Sequence, residues 1–367
     1  MPDESEGRLP VRRRRWTRGS RAVLLIVAPA LVLTGCSAHD VERNLRFGWP
    51  TGVTKQAEQM RVLWTWSGVT ALIVGVLTWG LIFWCCIHFR KKSDELPRQT
   101  KMNLRLEIVY SIIPFVIIGG LFYRTVVVED SVNKLTKNPD VVVQVDAFKW
   151  NWQFDYHSYK DASGVVRALV YPGQVAVAQV AAAAKGGAVG CDESSGNESY
   201  SCGAPGQPNT ANGPLYLSTV GSNDEIPVLV LPVHQSVRVV EHAEDVIHSF
   251  WVPEFLFKRD VIPYGTTSTA RDNQFEFTAT STGSFVGRCA ELCGTYHSQM
   301  NFEVRIVSAA QFQKYLAALA KYPPGDKNYP ARQSLALRAA GMSPFATTTH
   351  PFNTDRSARS ASQNQGG

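Results

Sequence analysis

The sequence predicts a membrane α plus all-β protein: a two-helix transmembrane hairpin followed by an exported β-sandwich or barrel. Three observations carry this. Two apolar stretches, 62–89 and 106–127, each match or exceed the roughly 20 residues that cross a bilayer. A basic loop separates them. Beyond residue 141, short strand-like runs follow one another without intervening helices.

Residues 1–35 read as a signal peptide. Arg12 to Arg15, Arg18 and Arg21 form a basic start, and Ala22 to Leu33 is an apolar run interrupted by Pro29, too short to span a bilayer. Leu33-Thr34-Gly35-Cys36 resembles a bacterial lipobox, in which the cysteine is lipidated and becomes the new N-terminus. An ordinary secretory signal with a chance cysteine is the alternative. The small residues before Cys36 favour the lipobox. Either reading exports the chain and makes 36–61 an extracytoplasmic segment.

The hairpin is expected over 62–127, with a cytoplasmic loop at 90–105. Trp64, Trp66, Trp79 and Trp84 lie toward the ends of the first apolar stretch. The loop carries Arg90, Lys91, Lys92, Arg98, Lys101 and Arg105 against only Asp94 and Glu95. The positive-inside rule places it in the cytoplasm, so both outer ends face outward. Cys85 and Cys86 fall inside the first helix and are read as packing residues.

The formal charge of +6 comes from the N-terminal third. From Val128 onward there are 22 acidic and 19 basic residues, a net of −3, with no basic patch interleaved with aromatics. Nucleic-acid binding is excluded on that ground.

The exported domain is expected over 128–322. Phe148, Trp150, Trp152, Phe154 and Tyr156 alternate with polar residues, which predicts one strand with all five aromatics on one face. Further strands are expected at Val228–Leu231, Ser236–Glu241, Gln274–Ala279 and Met300–Val307. The stretch from about 163 to 224 is too long and too rich in Gly, Ser and Ala for a plain connection and reads as a partly ordered insertion. Within it, Cys191 and Cys202 lack nearby histidines and are read as a loop-closing disulfide, a second metal site being the alternative. A C-terminal helix is expected over 308–322, with Ser308 and Gln311 as a capping box. The tail 323–367, rich in Ser, Ala, Arg, Gln and Thr, is expected to be disordered.

One short loop carries the chemistry. Cys289, Cys293, His297 and Met300 offer thiolates, an imidazole and a thioether, donors that suit copper. A remote histidine is needed as well. Among His157, His234, His242 and His248, the last lies in an apolar run, Asp245 to Pro253, whereas His234 and His242 have polar neighbours and read as solvated. The second cysteine is decisive, because two thiolates can each bridge two metals while one histidine caps each metal. Met300 and a backbone carbonyl, best supplied by Glu291, complete the two coordination shells. A Cys289–Cys293 disulfide explains neither the histidines nor the methionine. Zinc has little use for a thioether.

The run Cys289-Ala290-Glu291-Leu292-Cys293-Gly294-Thr295-Tyr296-His297-Ser298-Gln299-Met300 resembles the copper A loop of subunit II of the haem–copper cytochrome c oxidases. Asp245-Val246-Ile247-His248-Ser249, the stretch Lys149-Trp150-Asn151-Trp152 and the helical hairpin are similar to that family too, over about 62–322 apart from the insertion. The resemblance implies a cupredoxin-like copper A domain with two copper ions held by His248, Cys289, Glu291 (carbonyl), Cys293, His297 and Met300. It implies that the Glu291 side chain reaches a magnesium ion shared with subunit I. Trp150 would receive electrons beneath a docking surface for cytochrome c, to which acids such as Asp155, Glu244, Asp245, Glu254 and Asp260 would contribute. Glu107, at the cytoplasmic end of the second helix, would lie at the mouth of a proton-uptake path, although an acid at a helix N-terminus is favourable in any case.

The implied partners are subunit I with haem and copper B, subunit III, and cytochrome c or a membrane-bound c-type cytochrome of the bc complex. The implied activity is that of an oxidoreductase and translocase of the cell membrane, with oxygen reduced in subunit I rather than here. No Cys-x-x-Cys-His is present, so the donor haem belongs to another protein. Two other readings are a copper A subunit of a nitric-oxide-reductase-type complex and an exported copper-binding lipoprotein.

Overall fold

The computed structural model describes residues 46, 48–91, 94–95, 100–161, 163–171, 216–222, 225–263 and 273–349. The signal peptide, Cys36, Cys191, Cys202, most of the insertion and residues 350–367 lie outside the described residues.

Two helices open the fold, α1 (Lys55–His88) and α2 (Leu104–Asn133). Thr54 caps α1 by accepting from Ala57 N, and Asn103 caps α2 by accepting from Leu106 N. Both outrun the expected 62–127 at their outer ends. At 1.5 Å per residue α1 is about 51 Å long, so it crosses an apolar layer and continues beyond it. Large apolar side chains are exposed along both, among them Leu72, Val76, Trp79, Phe83, Ile112, Phe115 and Phe122. The two helices are long and apolar enough to cross a membrane.

Their outer ends are bound to the β-domain. Thr54 bridges Ala279, Val53 N donates to Glu254 O (3.0 Å), and Thr280 N donates to Val53 O (2.8 Å). Just past the end of α2, Thr136 donates to Glu276 through both its N (3.0 Å) and its Oγ1 (2.8 Å). The domain therefore sits at the start of α1 and the finish of α2 together. That is the same-side arrangement a hairpin requires.

The β-domain is two packed sheets. One has the order β3 (Val166–Ala168), β2 (Asn151–Lys160), β1 (Val141–Phe148), β6 (Ser236–Ala243), β9 (Gln274–Thr278), with β4 (Leu217–Val220) also paired to β2. The other runs β5 (Val228–Pro232), β11 (Asn301–Val307), β10 (Gly283–Cys289), β7 (His248–Val252), β8 (Phe257–Val261). Trp152 and Phe154 from the first sheet meet Phe250 and Phe302 from the second, with centroids 5.0–6.2 Å apart and mostly edge-on. Tyr156 crosses the same interface, its hydroxyl accepting from Val230 N at 2.9 Å. This is the sandwich the sequence predicts, of cupredoxin-like form.

Two expectations are corrected here. The five aromatics do not share one strand. Phe148 ends β1, Lys149 and Trp150 form a two-residue turn, and Trp152, Phe154 and Tyr156 belong to β2. A two-residue turn preserves the period of two, so the alternation runs through it unbroken.

The tail is not disordered from 323. After α3 (Ala309–Leu319), capped by Ser308 as expected, the chain forms α4 (Arg332–Ala339) and stays bonded to the β-domain as far as Thr348. The two buried polar residues of α4, Arg332 and Gln333, are both bonded. Gln333 Oε1 accepts from Val228 N (2.8 Å), and its Nε2 donates to Ile226 O (3.0 Å). Arg332 Nε donates to Ser218 O (2.8 Å). Glu303 and Arg305 on β11 hold residues 343–348: Arg305 donates to Ser343 O and Phe345 O, and Glu303 accepts from Thr347 N and Thr348 N.

Candidate metal centre

The centre is built where the second sheet brings two strand ends side by side. β10 lies between β11 and β7, and Cys289 at its end pairs with Phe250. This sets Cys289 beside His248, the first residue of β7. The loop 290–300 then joins β10 to β11. Gly287 makes that pairing close: it faces Phe302, and a Cβ there would lie 2.1 Å from the ring.

The loop is fixed by its own backbone. Cys289 N donates to Met300 O (3.2 Å), Ala290 N to Ser249 O (3.1 Å) and His297 N to Gly294 O (3.1 Å). Two indoles support it from the first sheet: Trp152 Nε1 donates to Met300 O (3.1 Å) and Trp150 Nε1 to Cys293 O (3.2 Å). Trp150 also stands edge-on to Tyr296, with centroids 4.8 Å apart.

The predicted donors converge. The Sγ atoms of Cys289 and Cys293 are 3.9 Å apart. His248 Nδ1 is 3.9 Å from Cys289 Sγ, and His297 Nδ1 is 3.6 Å from Cys293 Sγ. Met300 Sδ is 3.8 Å from Cys293 Sγ, and Glu291 O is 3.2 Å from Cys289 Sγ. Cys289, Cys293, Met300 and His248 are buried. Two separated thiols at 3.9 Å are not a disulfide, whose sulfurs lie about 2.05 Å apart. A largely buried nest of two thiols, two imidazoles and a thioether fits copper.

The electrostatics favour a bound cation. A hydrogen bond with Cys293, together with the His248 ring, holds the Cys289 thiol well below the usual thiol range. The same contact, with burial, pushes Cys293 up. One thiolate is thus formed readily and the second waits for a positive charge to replace its proton. Burial alone would lower His248, but its contacts with Cys289 and Asp245 outweigh burial and raise it. Asp245 Oδ1 lies 2.9 Å from His248 Nε2 and leaves Nδ1 turned to the sulfurs.

The remaining expectations divide. Glu107 is half-buried in the first turn of α2, where its Oε1 accepts from Asn103 N (3.2 Å). Glu244 and Asp245 are exposed near the centre, but Asp155 is buried against Gln153 and cannot serve a docking surface. His242 is buried rather than solvated, because its acidic neighbours enclose it. The ring of Trp150 on Cys293 O was not legible as such. The orienting role of Asp245 was also missed, although its place three residues before His248 was the available signal.

A family model described as cytochrome c oxidase subunit II, periplasmic domain, matches residues 219–307. "Probable cytochrome c oxidase subunit 2" of Nocardia farcinica is 45% identical over 374 residues, covering 98% of this chain and 94% of that protein. "Cytochrome c oxidase subunit 2" of Mycobacterium tuberculosis is 41% identical over 354 residues, covering 92% of this chain and 91% of that protein. The solved periplasmic domain of subunit II of cytochrome oxidase from Bradyrhizobium japonicum is 24% identical, covering 50% of this chain and 96% of that one, with a TM-score of 0.29. Identity at this level over nine-tenths or more of both chains, with the Nocardia farcinica and Mycobacterium tuberculosis proteins, means that the chain belongs to the cytochrome c oxidase subunit II family.

Proposed function

We propose that this chain receives electrons from cytochrome c, or from a membrane-bound c-type cytochrome, at a dinuclear copper A centre. It passes them to haem in subunit I, where oxygen is reduced to water and protons are pumped. The carrying observation is the pairing of one histidine with each cysteine: His248 with Cys289 and His297 with Cys293, across sulfurs 3.9 Å apart. When bound, the copper pair supplies one-electron redox chemistry with the charge change spread over two metals.

The chain's own residues do the rest. Cys289, Cys293, His248, His297, Met300 Sδ and Glu291 O would hold the two copper ions. The Glu291 side chain would reach a magnesium ion shared with subunit I. Asp245 orients His248. Trp150 receives the electron, since its indole is bonded to the carbonyl of Cys293. Glu107 opens the proton-uptake path at the cytoplasmic end of α2. The two helices hold the chain in the cell membrane with the β-domain outside.

Copper loading of the full chain in detergent tests this reading. Two copper ions per chain are expected, with the hyperfine pattern of one electron shared equally by two nuclei. One copper per chain with a single-nucleus pattern overturns the dinuclear assignment.

A further inference from the structure

A second group of ligating side chains lies outside the copper centre. Asp146 on β1, His242 on β6 and Glu244 just beyond β6 each place a ligand atom within 4.8 Å of the other two. β1 and β6 pair in parallel with Asp146 directly beside His242. Glu244 N donates to Ala147 O at 2.9 Å, which fixes the third residue against the same strand. The side chains of Asp146 and His242 are 8% and 9% exposed, whereas that of Glu244 is 36% exposed. The group has a buried floor and one arm in solvent.

The two spacings to His242 fit those of ligands around a metal. His242 Nδ1 is 3.4 Å from Asp146 Oδ1 and 3.5 Å from Glu244 Oε1. Both exceed the 2.7–2.9 Å or so of a charge-assisted hydrogen bond. They equal the edge of a tetrahedron, about 3.3–3.6 Å, drawn around zinc with bonds of about 2.0–2.2 Å.

The charge points the same way. Asp155 lies beside Asp146, and burial together with that neighbour pushes its carboxyl well up. Neutral amides hold the two acids: Gln144 Nε2 donates to Asp146 Oδ1 (2.7 Å) and Gln153 Nε2 to Asp155 (2.9 and 3.0 Å). Burial pushes His157 down to about 4, so it stays neutral near neutral pH. Arg332 offsets Asp155 only in part. Buried carboxylates in excess of nearby cations are costly unless a cation joins them.

We propose that Asp146, His242 and Glu244 form a second divalent-cation site, taking zinc tetrahedrally with water in the fourth position. The site ties the end of β1, which leads into the turn holding Trp150, to the end of β6, which leads to Asp245 and His248. Zinc there braces the two loops that flank the copper centre.

The test uses the copper-loaded full chain in its oxidase complex, stripped with a chelator and equilibrated with zinc chloride. Wild type is expected to retain one more zinc per chain than Glu244→Gln or His242→Gln. Loss of a direct ligand should weaken binding at least about 10-fold, since outer partners alone are worth that much. Cobalt(II) in place of zinc should give tetrahedral visible bands that both variants lose. An unchanged copper spectrum in each variant shows that the domain is intact. If His242→Gln disturbs folding, the solvent-facing Glu244→Gln carries the test. Equal zinc in wild type and Glu244→Gln, or no added zinc in wild type, overturns the proposal.

Discussion

His248 stands between Cys289 and Asp245, with Nδ1 3.9 Å from the sulfur and Nε2 2.9 Å from the carboxylate oxygen. Asp245 is in turn held by the backbone N–H of Lys149 (2.8 Å) and of Val246 (2.7 Å). These contacts outweigh its burial and keep it ionised. The carboxylate therefore fixes which ring nitrogen carries the proton and which faces the metal. Asp245→Ala should lower copper affinity about 10–100-fold, and Asp245→Asn, which keeps an acceptor, should lower it less. Competition against a chelator reads this directly. Equal affinity in Asp245→Ala would remove the orienting role.

Gly294 and Trp150 form a second close relationship. Gly294 has φ +119°, and a Cβ there would lie 3.2 Å from Trp150 Cζ2 and 3.3 Å from Nε1. Gly294→Ala should push the indole off Cys293 O and cost about 1–3 kcal/mol of backbone strain. We expect slower reduction by cytochrome c with copper content retained, and the same kinetic defect in Trp150→Phe. Stopped-flow reduction checks both. A normal rate in Trp150→Phe would show that electrons reach the copper by another route.

How much of this was legible in the sequence depended on whether partners were local. The copper loop was readable because four donors lie within Cys289–Met300, and their chemistry is specific whatever surrounds them. His248 was readable from its apolar neighbours. The turn at Lys149–Trp150 was not, since neither residue is a usual turn former and the alternation of aromatics passes through it. Composition also misjudged Arg332, Gln333 and His242. Each is polar among polar neighbours and looks solvated, yet each is buried against partners that are distant in sequence or on an adjoining strand. Polar composition predicts solvation only when those partners are absent.

Gln333 illustrates the cost of such a bond. It covers the start of β5, an edge strand, by accepting from Val228 N and donating to Ile226 O and Glu225 Oε1. Gln333→Ala would leave the buried N–H of Val228 unmet, a loss of about 1–3 kcal/mol. For a domain of this size each kcal/mol lowers the melting temperature by about 2–4 °C. Calorimetry of wild type and variant measures it. A melting temperature equal to wild type would mean that residues 332–339 are a passive appendage.

The clamp on residues 343–348 should be acid-labile. Burial alone would raise Glu303, but bonds from Thr347 N and Arg305 outweigh burial and hold its carboxyl below the usual range. The unfolded chain binds a proton at about pH 4.3, where the folded chain still does not. Stability from this acid is therefore fully present above about pH 4.3 and is lost as pH falls through the lower folded value. Glu303→Gln cannot titrate, so its stability should be lower at neutral pH but fall less steeply below about pH 4.3. Thermal midpoints of the two proteins across that range decide the matter. Parallel curves would show that the clamp is held by the backbone of residues 343–348 rather than by the charge on Glu303.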